Sequence, residues 1–143
     1  MGDLSAKLIG FFEGFEPVAK WDVNAWRLGF GSDTEGPEQR PVTRHMTTTV
    51  ERALANLSAR LPKFEAVASY QVGAEWAKFP DNVKAALVSI AYNYGKLPDH
   101  VAEAAKAGNL SAVSKAIEDC ETDNHGVNAK RRFAEAAFVA SCE

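Results

Sequence analysis

The sequence predicts an α+β fold that is mainly helical, and three observations carry that reading. Long stretches place apolar residues at intervals of three and four, as in Val50, Leu54, Leu57 and Leu61 or Val83, Leu87, Ile90 and Tyr94, the stripe of a helix with one buried face. One short stretch instead alternates Trp26, Leu28 and Phe30 with Arg27, Gly29 and Gly31, the period of a half-buried strand. The chain has 143 residues, 46% of them hydrophobic, which is the size of one domain with a real core.

The first element is an amphipathic helix, with Leu4, Leu8, Phe11, Phe12 and Phe15 on its stripe and Asp3 as its N-cap. Glu13 falls in its last turn. A carboxylate there faces the negative end of the helix dipole and neighbours Phe12 and Phe15, and both influences favour its protonated form. A general acid needs that. Pro17 stops the helix, so Asp22 is expected on a polar loop that can turn back past the helix end.

In the strand that follows, glycines on an exposed face would let a bulky ligand approach the backbone, and Arg27 beside them can donate several hydrogen bonds to a sugar or carboxylate. Without further pattern the same residues also read as a bulge beside a solvated arginine. Asp33 to Pro41, rich in glycine, proline and acids, reads as a loop, and Pro41-Val42-Thr43 as a short returning strand that completes a small β lobe.

Thr48-x-x-Glu51 forms a capping box for a helix of about three turns, which Pro62 ends or kinks. A further helical stretch is expected from Lys63 to about Tyr70, with Phe64 and Val67 inward. The clearest helix runs from Asp81 to Tyr94, with Pro80 before it and Gly95 as its C′ residue. Shorter ones follow at about Asp99 to Ala107 and Ser111 to Glu118, and a last helix carries Lys130-Arg131-Arg132.

The net charge of −3 argues against global attraction to nucleic acid, so an anionic polymer would have to be held by local arginines. No apolar run is long enough to span a membrane, and the N-terminal stretch lacks the charged leader and apolar core of an export signal. Stable membrane association is therefore not expected. Cys120 and Cys142 are too few for a disulfide framework and read as free thiols. His45, His100 and His125 lack metal-ligand spacing with either cysteine, and no phosphate loop, zinc motif or Gly-x-Ser-x-Gly elbow occurs, so no metal or cofactor is expected.

Glu13-Gly14, then Asp22 nine positions on, then Leu28-Gly29-Phe30-Gly31 resembles the opening of the phage-type lysozymes, glycoside hydrolase family 24. Two later segments extend the resemblance over nearly the whole chain. Ala91-Tyr92-Asn93-Tyr94-Gly95 is similar to the family's aromatic-Asn-x-Gly segment. Gly126-Val127-Asn128-Ala129-Lys130-Arg131-Arg132-Phe133-Ala134-Glu135 is similar to its Gly-Leu-x-x-Arg-Arg-x-x-Glu signature with one residue inserted. There are departures: Arg27 stands where the family has threonine, Ser32 where it has histidine, and the loop after Asp22 is one residue shorter.

The resemblance implies a single lysozyme-like domain over 1–143. A small β lobe at about 16–47 and a helical lobe at about 1–15 and 75–143, joined by helices within 48–74, would flank a cleft. It implies cleavage of the β-1,4 bond between N-acetylmuramic acid and N-acetylglucosamine in bacterial peptidoglycan. Glycosidic cleavage needs one protonated carboxyl and one ionised carboxylate, and Glu13 and Asp22 fit these roles. Glu16 is a rival acid but lacks the following glycine.

Arg27 has donors only, so it cannot help deprotonate a water, and the catalytic set becomes Glu13, Asp22 and Arg27. Gly29, Phe30, Gly31, Asn93 and Arg131 are the expected substrate contacts. Three activities stay open: a hydrolase, a lytic transglycosylase in which the sugar's own hydroxyl replaces water, and a non-catalytic wall-binding module. The expected setting is a monomer held in the host cytoplasm until lysis. It would reach the wall through a membrane-permeabilising holin or as part of a larger injected assembly.

Overall fold

The computed structural model describes residues 8–10, 13–120, 132, 135–137 and 139. Within them the chain is mainly helical, with two small antiparallel sheets, and it divides into two compact units, one carried by Ala6–Pro62 and one from Lys63 onward.

The first unit opens on helix. Residues 8–10 and 13 are helical, and the Gly14 amide donates to the Gly10 carbonyl at 3.3 Å, so Glu13 does occupy a last helical turn. Gly14 then takes φ +67, the left-handed conformation that ends helices. Asp3, Leu4, Phe11 and Phe12, the rest of the expected stripe and cap, lie outside the described residues.

Two strands follow where the sequence suggests one. β1 (Glu16–Asp22) pairs antiparallel with β2 (Ala25–Gly29), Lys20 opposite Arg27, Trp21 opposite Trp26 and Asp22 opposite Ala25. Asp22 thus ends a strand and does not ride on a loop. Pro17 hid the strand from the sequence, yet near the start of the strand it loses only a donor, and its carbonyl still accepts from the Thr48 amide at 2.9 Å. The connecting turn is Val23-Asn24, with Val23 at φ +55.

β2 also ends earlier than the alternation suggests. Gly29 and Gly31 take φ +62 and +77, and Leu28 and Ser32 exchange backbone hydrogen bonds of 3.0 and 2.9 Å, so Phe30 sits in a tight turn and not in a strand. The apolar period runs on through the turn because the turn also buries its aromatic residue. Ala19, Leu28 and Val42 form a small core, with Trp26 and Met46 packed against it.

The stretch read as a loop carries the second sheet, β3 (Thr34–Glu35) with β4 (Arg40–Pro41). The returning strand comes one residue before Pro41-Val42-Thr43, and Val42 still bonds back to the Asp33 carbonyl at 2.9 Å.

One helix, α1 (Val50–Val72), replaces the two expected, because it continues through Pro62. Ala53, Leu57, Leu61, Phe64, Ala68 and Val72 are all buried on one unbroken stripe. Pro62 is on the exposed side, so its damage is confined to the N–H it cannot offer to the carbonyl of Ser58. The cap differs as well: the Arg52 amide donates to the Thr49 hydroxyl at 3.2 Å, making Thr49 and not Thr48 the N-cap. The passage from the first unit to the second falls inside this helix, after Pro62.

In the second unit, a 3-10 turn at Gly73–Lys78 buries Trp76 and leads to α2 (Asp81–Tyr94). Ala85 through Ala91 are buried on every side, which makes α2 the centre of this unit. Gly95, at φ +89, closes the helix with a 2.7 Å bond to the Ala91 carbonyl, as its position predicts. α3 (Asp99–Lys106) and α4 (Leu110–Glu118) follow, the second capped by the Asn109 side chain accepting from the Ala112 amide. Residues 132, 135–137 and 139 are again helical.

Candidate active site

Within the first unit the hairpin places Asp22 and Arg27 on the same face, since Asp22 pairs with Ala25 and Arg27 lies two residues further along β2. Arg27 Nε stands 3.6 Å from Asp22 Oδ2, and Arg27 Nη1 donates to the Gly31 carbonyl at 3.4 Å. Half-buried Glu13 approaches the other side of Gly31, where a Cβ would stand only 3.0 Å from Glu13 Oε2. The two carboxylates are therefore linked through one arginine and one glycine that leaves the room they need. Glu16 is engaged elsewhere, in an exposed 3.0 Å ion pair with Lys20.

The remaining predicted contacts have different surroundings. Gly29 does not present an open face, because a Cβ there would meet the Ala53 Cβ of α1 at 3.1 Å, and it serves close packing between the hairpin and that helix. Phe30 is 8% exposed, its ring 5.9 Å from that of Phe15 and over Gly10. Ser32, at the family's histidine position, is buried. Its hydroxyl accepts from the Thr34 amide at 3.1 Å and from Arg60, which also pairs with Asp33 at 3.2 Å. Thr34, in turn, accepts from Asn56 at 3.0 Å.

The sequence reading missed Glu35. Its carboxylate is 1% exposed and takes hydrogen bonds from Arg52 Nε at 2.7 Å, Arg40 Nη2 at 2.5 Å and the Thr48 hydroxyl at 2.9 Å. Arg52 reaches Glu38 too, at 2.7 Å. Its hydrogen bond from Arg52, helped by those from Arg40 and Thr48, outweighs the cost of burial and lowers the carboxyl from 4.5 to about 2. One signal was available: Arg52 occupies the first turn of α1, the wrong end of a helix dipole for a cation unless a carboxylate claims it.

In the second unit, Asn93 Oδ1 accepts from Arg132 Nη1 at 3.4 Å, and the Arg132 guanidinium lies 5.0 Å from the centre of the Tyr94 ring. Arg132 and Glu135 are fully buried with Nε and Oε1 2.5 Å apart. The family signature thus contributes a structural ion pair, while Arg131 lies outside the described residues. Cys120 is buried, its Sγ 3.4 Å from His100 Nε2, whereas Cys142 and His125 also lie outside the described residues. Among the described residues no group of His, Cys, Asp or Glu is placed to hold a metal ion.

The model of the phage lysozyme family matches residues 10–135. Among solved structures, the endolysin of Escherichia coli O157:H7 phage FAHEc1 is 26% identical, with a TM-score of 0.80 over 98% of this chain and 92% of that one. A point mutant of P22 lysozyme is 21% identical, with a TM-score of 0.80 over 95% and 94%. The muramidase domain of SpmX from Asticaccaulis excentricus is 19% identical, with a TM-score of 0.77 over 94% and 93%. The two latter likenesses concern the fold. Among curated protein sequences there is no match.

Proposed function

This chain belongs to the phage lysozyme family, and on that premise we propose that Glu13 is the general acid and Asp22 the partner carboxylate of a muramidase. The protein is a peptidoglycan-cleaving glycoside hydrolase. The observation that carries the residue assignment is the connection from Glu13 past Gly31 to Arg27 and Asp22, which gathers both carboxylates in one unit of the chain.

Glu13 protonates the glycosidic oxygen as the bond from the N-acetylmuramic acid C1 breaks. Asp22 then takes the proton of the attacking water or steadies the oxocarbenium-like transition state. Arg27 cannot take a proton from water, so its part is to hold the Asp22 carboxylate and the Gly31 carbonyl in register. Gly31 contacts the sugars, with Gly29 and Phe30 supporting it by the close approach of α1 and by the buried ring; for Asn93 and Arg131 a sugar contact rests on the family resemblance alone. The engagement of Glu16 with Lys20 supports Glu13 as the acid.

Glu13→Gln is expected to abolish lysis of permeabilised bacteria with circular dichroism unchanged, since general acid catalysis is worth roughly a hundred- to ten-thousandfold. Full activity in that variant, with loss in Glu16→Gln, would move the acid. The donor-only Arg27 at the threonine position favours one second reading, a lytic transglycosylase. Mass analysis of digested peptidoglycan separates the activities: reducing ends mean hydrolysis, anhydro-muramyl ends mean transglycosylation, and no release means a binding module.

The finer setting belongs to the same proposal: a monomer waiting in the host cytoplasm that meets the wall through a holin-type partner. No helix among the described residues is long and apolar enough to cross a membrane. Recovery of the protein in the periplasm or membrane pellet when it is expressed alone would overturn that part.

A further inference from the structure

Arg52, Asn56 and Arg60 stand at intervals of four on α1, so their side chains form one stripe along the helix. All three reach the same segment of chain in the first unit. Arg52 donates to Glu35 at 2.7 Å, Asn56 to the Thr34 hydroxyl and the Gly36 carbonyl at 3.0 Å each, and Arg60 to the Ser32 hydroxyl and to Asp33, the latter at 3.2 Å. The segment runs antiparallel to the helix. Four helical residues rise about 6 Å and two extended ones span about 6.6 Å, so the two repeats keep step from one grip to the next.

The grip of Arg60 differs from the other two in what lies beyond it. Ser32 closes the Gly29–Gly31 turn by exchanging both backbone bonds with Leu28, whereas Arg52 and Asn56 hold residues on the far side, in β3 and after it. Gly31 directly precedes Ser32. Its carbonyl accepts from Arg27, and its Cα faces Glu13 Oε2 so closely that a Cβ would stand 3.0 Å away. The turn contains two left-handed glycines, at φ +62 and +77, and glycine does little to hold its own conformation. Anchors outside the turn must do so: Gly29 rests on Ala53, and Arg60, two helical turns further along the same face of α1, takes Ser32.

The bonds around Ser32 have only one consistent direction. Ser32 is buried, and its oxygen accepts from the Thr34 amide at 3.1 Å and from Arg60, so both lone pairs are used. Its proton therefore points to the Thr34 hydroxyl, 3.2 Å away, which also accepts from Asn56. Arg60 sets this orientation. An ion pair with half-exposed Asp33 alone would add little, but here the same Nη1 reaches past Asp33 to a buried neutral hydroxyl.

We propose that Arg60 is a positioning residue for the general acid: through the Ser32 hydroxyl it fixes the turn that carries Gly31, and with it the place of the Gly31 backbone beside the Glu13 carboxylate. The proposal rests on the reading of Glu13 as the acid. An acid must come within about 2.6–3.2 Å of the oxygen it protonates, and a misplacement of about 1 Å can cost on the order of a hundredfold in rate.

The test measures kcat and KM separately, on a soluble tetrasaccharide of alternating N-acetylglucosamine and N-acetylmuramic acid, for the folded fraction of each variant. Arg60→Met should lower kcat about tenfold and leave KM within about twofold. Arg60→Lys keeps a donor and should recover part of the loss. Ser32→Ala should lose as much kcat as Arg60→Met, and the double variant no more than either, because a connection through one hydroxyl is broken only once. Should Arg60→Met not fold, Ser32→Ala, which deletes one oxygen, carries the same kcat reading. Arg52→Met is the control: it strands buried Glu35 and should cost more stability, yet the folded fraction should keep its kcat. Unchanged kcat in folded Arg60→Met, or losses that add in the double variant, would leave Arg60 a clamp of the fold and overturn the proposal. So would a raised KM at unchanged kcat, which would make Arg60 a contact of the sugar. Activity retained in Glu13→Gln would remove the acid and this inference with it, a failure read in a variant that keeps Arg60 and so distinct from the others.

Discussion

Gly31 and Gly29 are separated by a single residue, yet the same methyl group should do different damage at each. At Gly31 it would stand 3.0 Å from the Glu13 carboxylate, so Gly31→Ala is expected to lower kcat more than tenfold, with a stability loss of about 1–2 kcal/mol from its positive φ. At Gly29 it would meet α1, so Gly29→Ala should lower the melting temperature further while the folded fraction keeps its kcat. Kinetics and calorimetry on both variants check this, and equal kcat in the two would detach Gly31 from the acid. Glu35 makes a pH prediction. Its folded-state value, about 2, lies below its ordinary 4.5, so the stability it contributes is present above pH 4.5 and is lost as pH falls from 4.5 through 2. The linkage is worth about 3 kcal/mol. Denaturation midpoints measured across that range should fall steeply in the wild type and much less in Glu35→Gln.

At the scale of elements, the helices were legible wherever their ends were punctuated. Pro80 and Gly95 bound α2 at the residues the sequence indicates, because a fixed φ before a helix and a left-handed residue after it are local properties. Pro62 misled for the same reason: local rules ended the helix, and a buried stripe from Ala53 to Val72 overrode them. β1 and the turn at Gly29–Gly31 were hidden because a proline and a continuing apolar period imitate a loop and a strand. At the site, the order of Glu13, Asp22 and Arg27 was readable, but the Glu35 network was not, since its partners lie five, thirteen and seventeen residues away. Two substitutions test the elements as observed. Thr49→Ala should cost about 1 kcal/mol by uncapping α1, and a larger loss in Thr48→Ala would reflect the buried Glu35 bond and not the cap. Val23→Gly should gain about 1 kcal/mol by relieving the turn.

For the molecule as a whole, the charge of −3 sets an ionic-strength dependence on an anionic wall. Repulsion reaches about 30 Å at 0.01 M salt and about 8 Å at 0.15 M, so the initial rate on sacculi should rise between those concentrations. A steep fall would show that local arginines dominate the encounter. Pro62 has a consequence of another kind. Among the described residues α1 is the element common to both compact units, and at their boundary its ladder lacks one rung. Native-state hydrogen exchange should therefore divide this one helix into two cooperative parts. Amides of residues 50–61 should open with the hairpin unit and those of 63–72 with the helical unit, while Pro62→Ala should merge the two opening free energies.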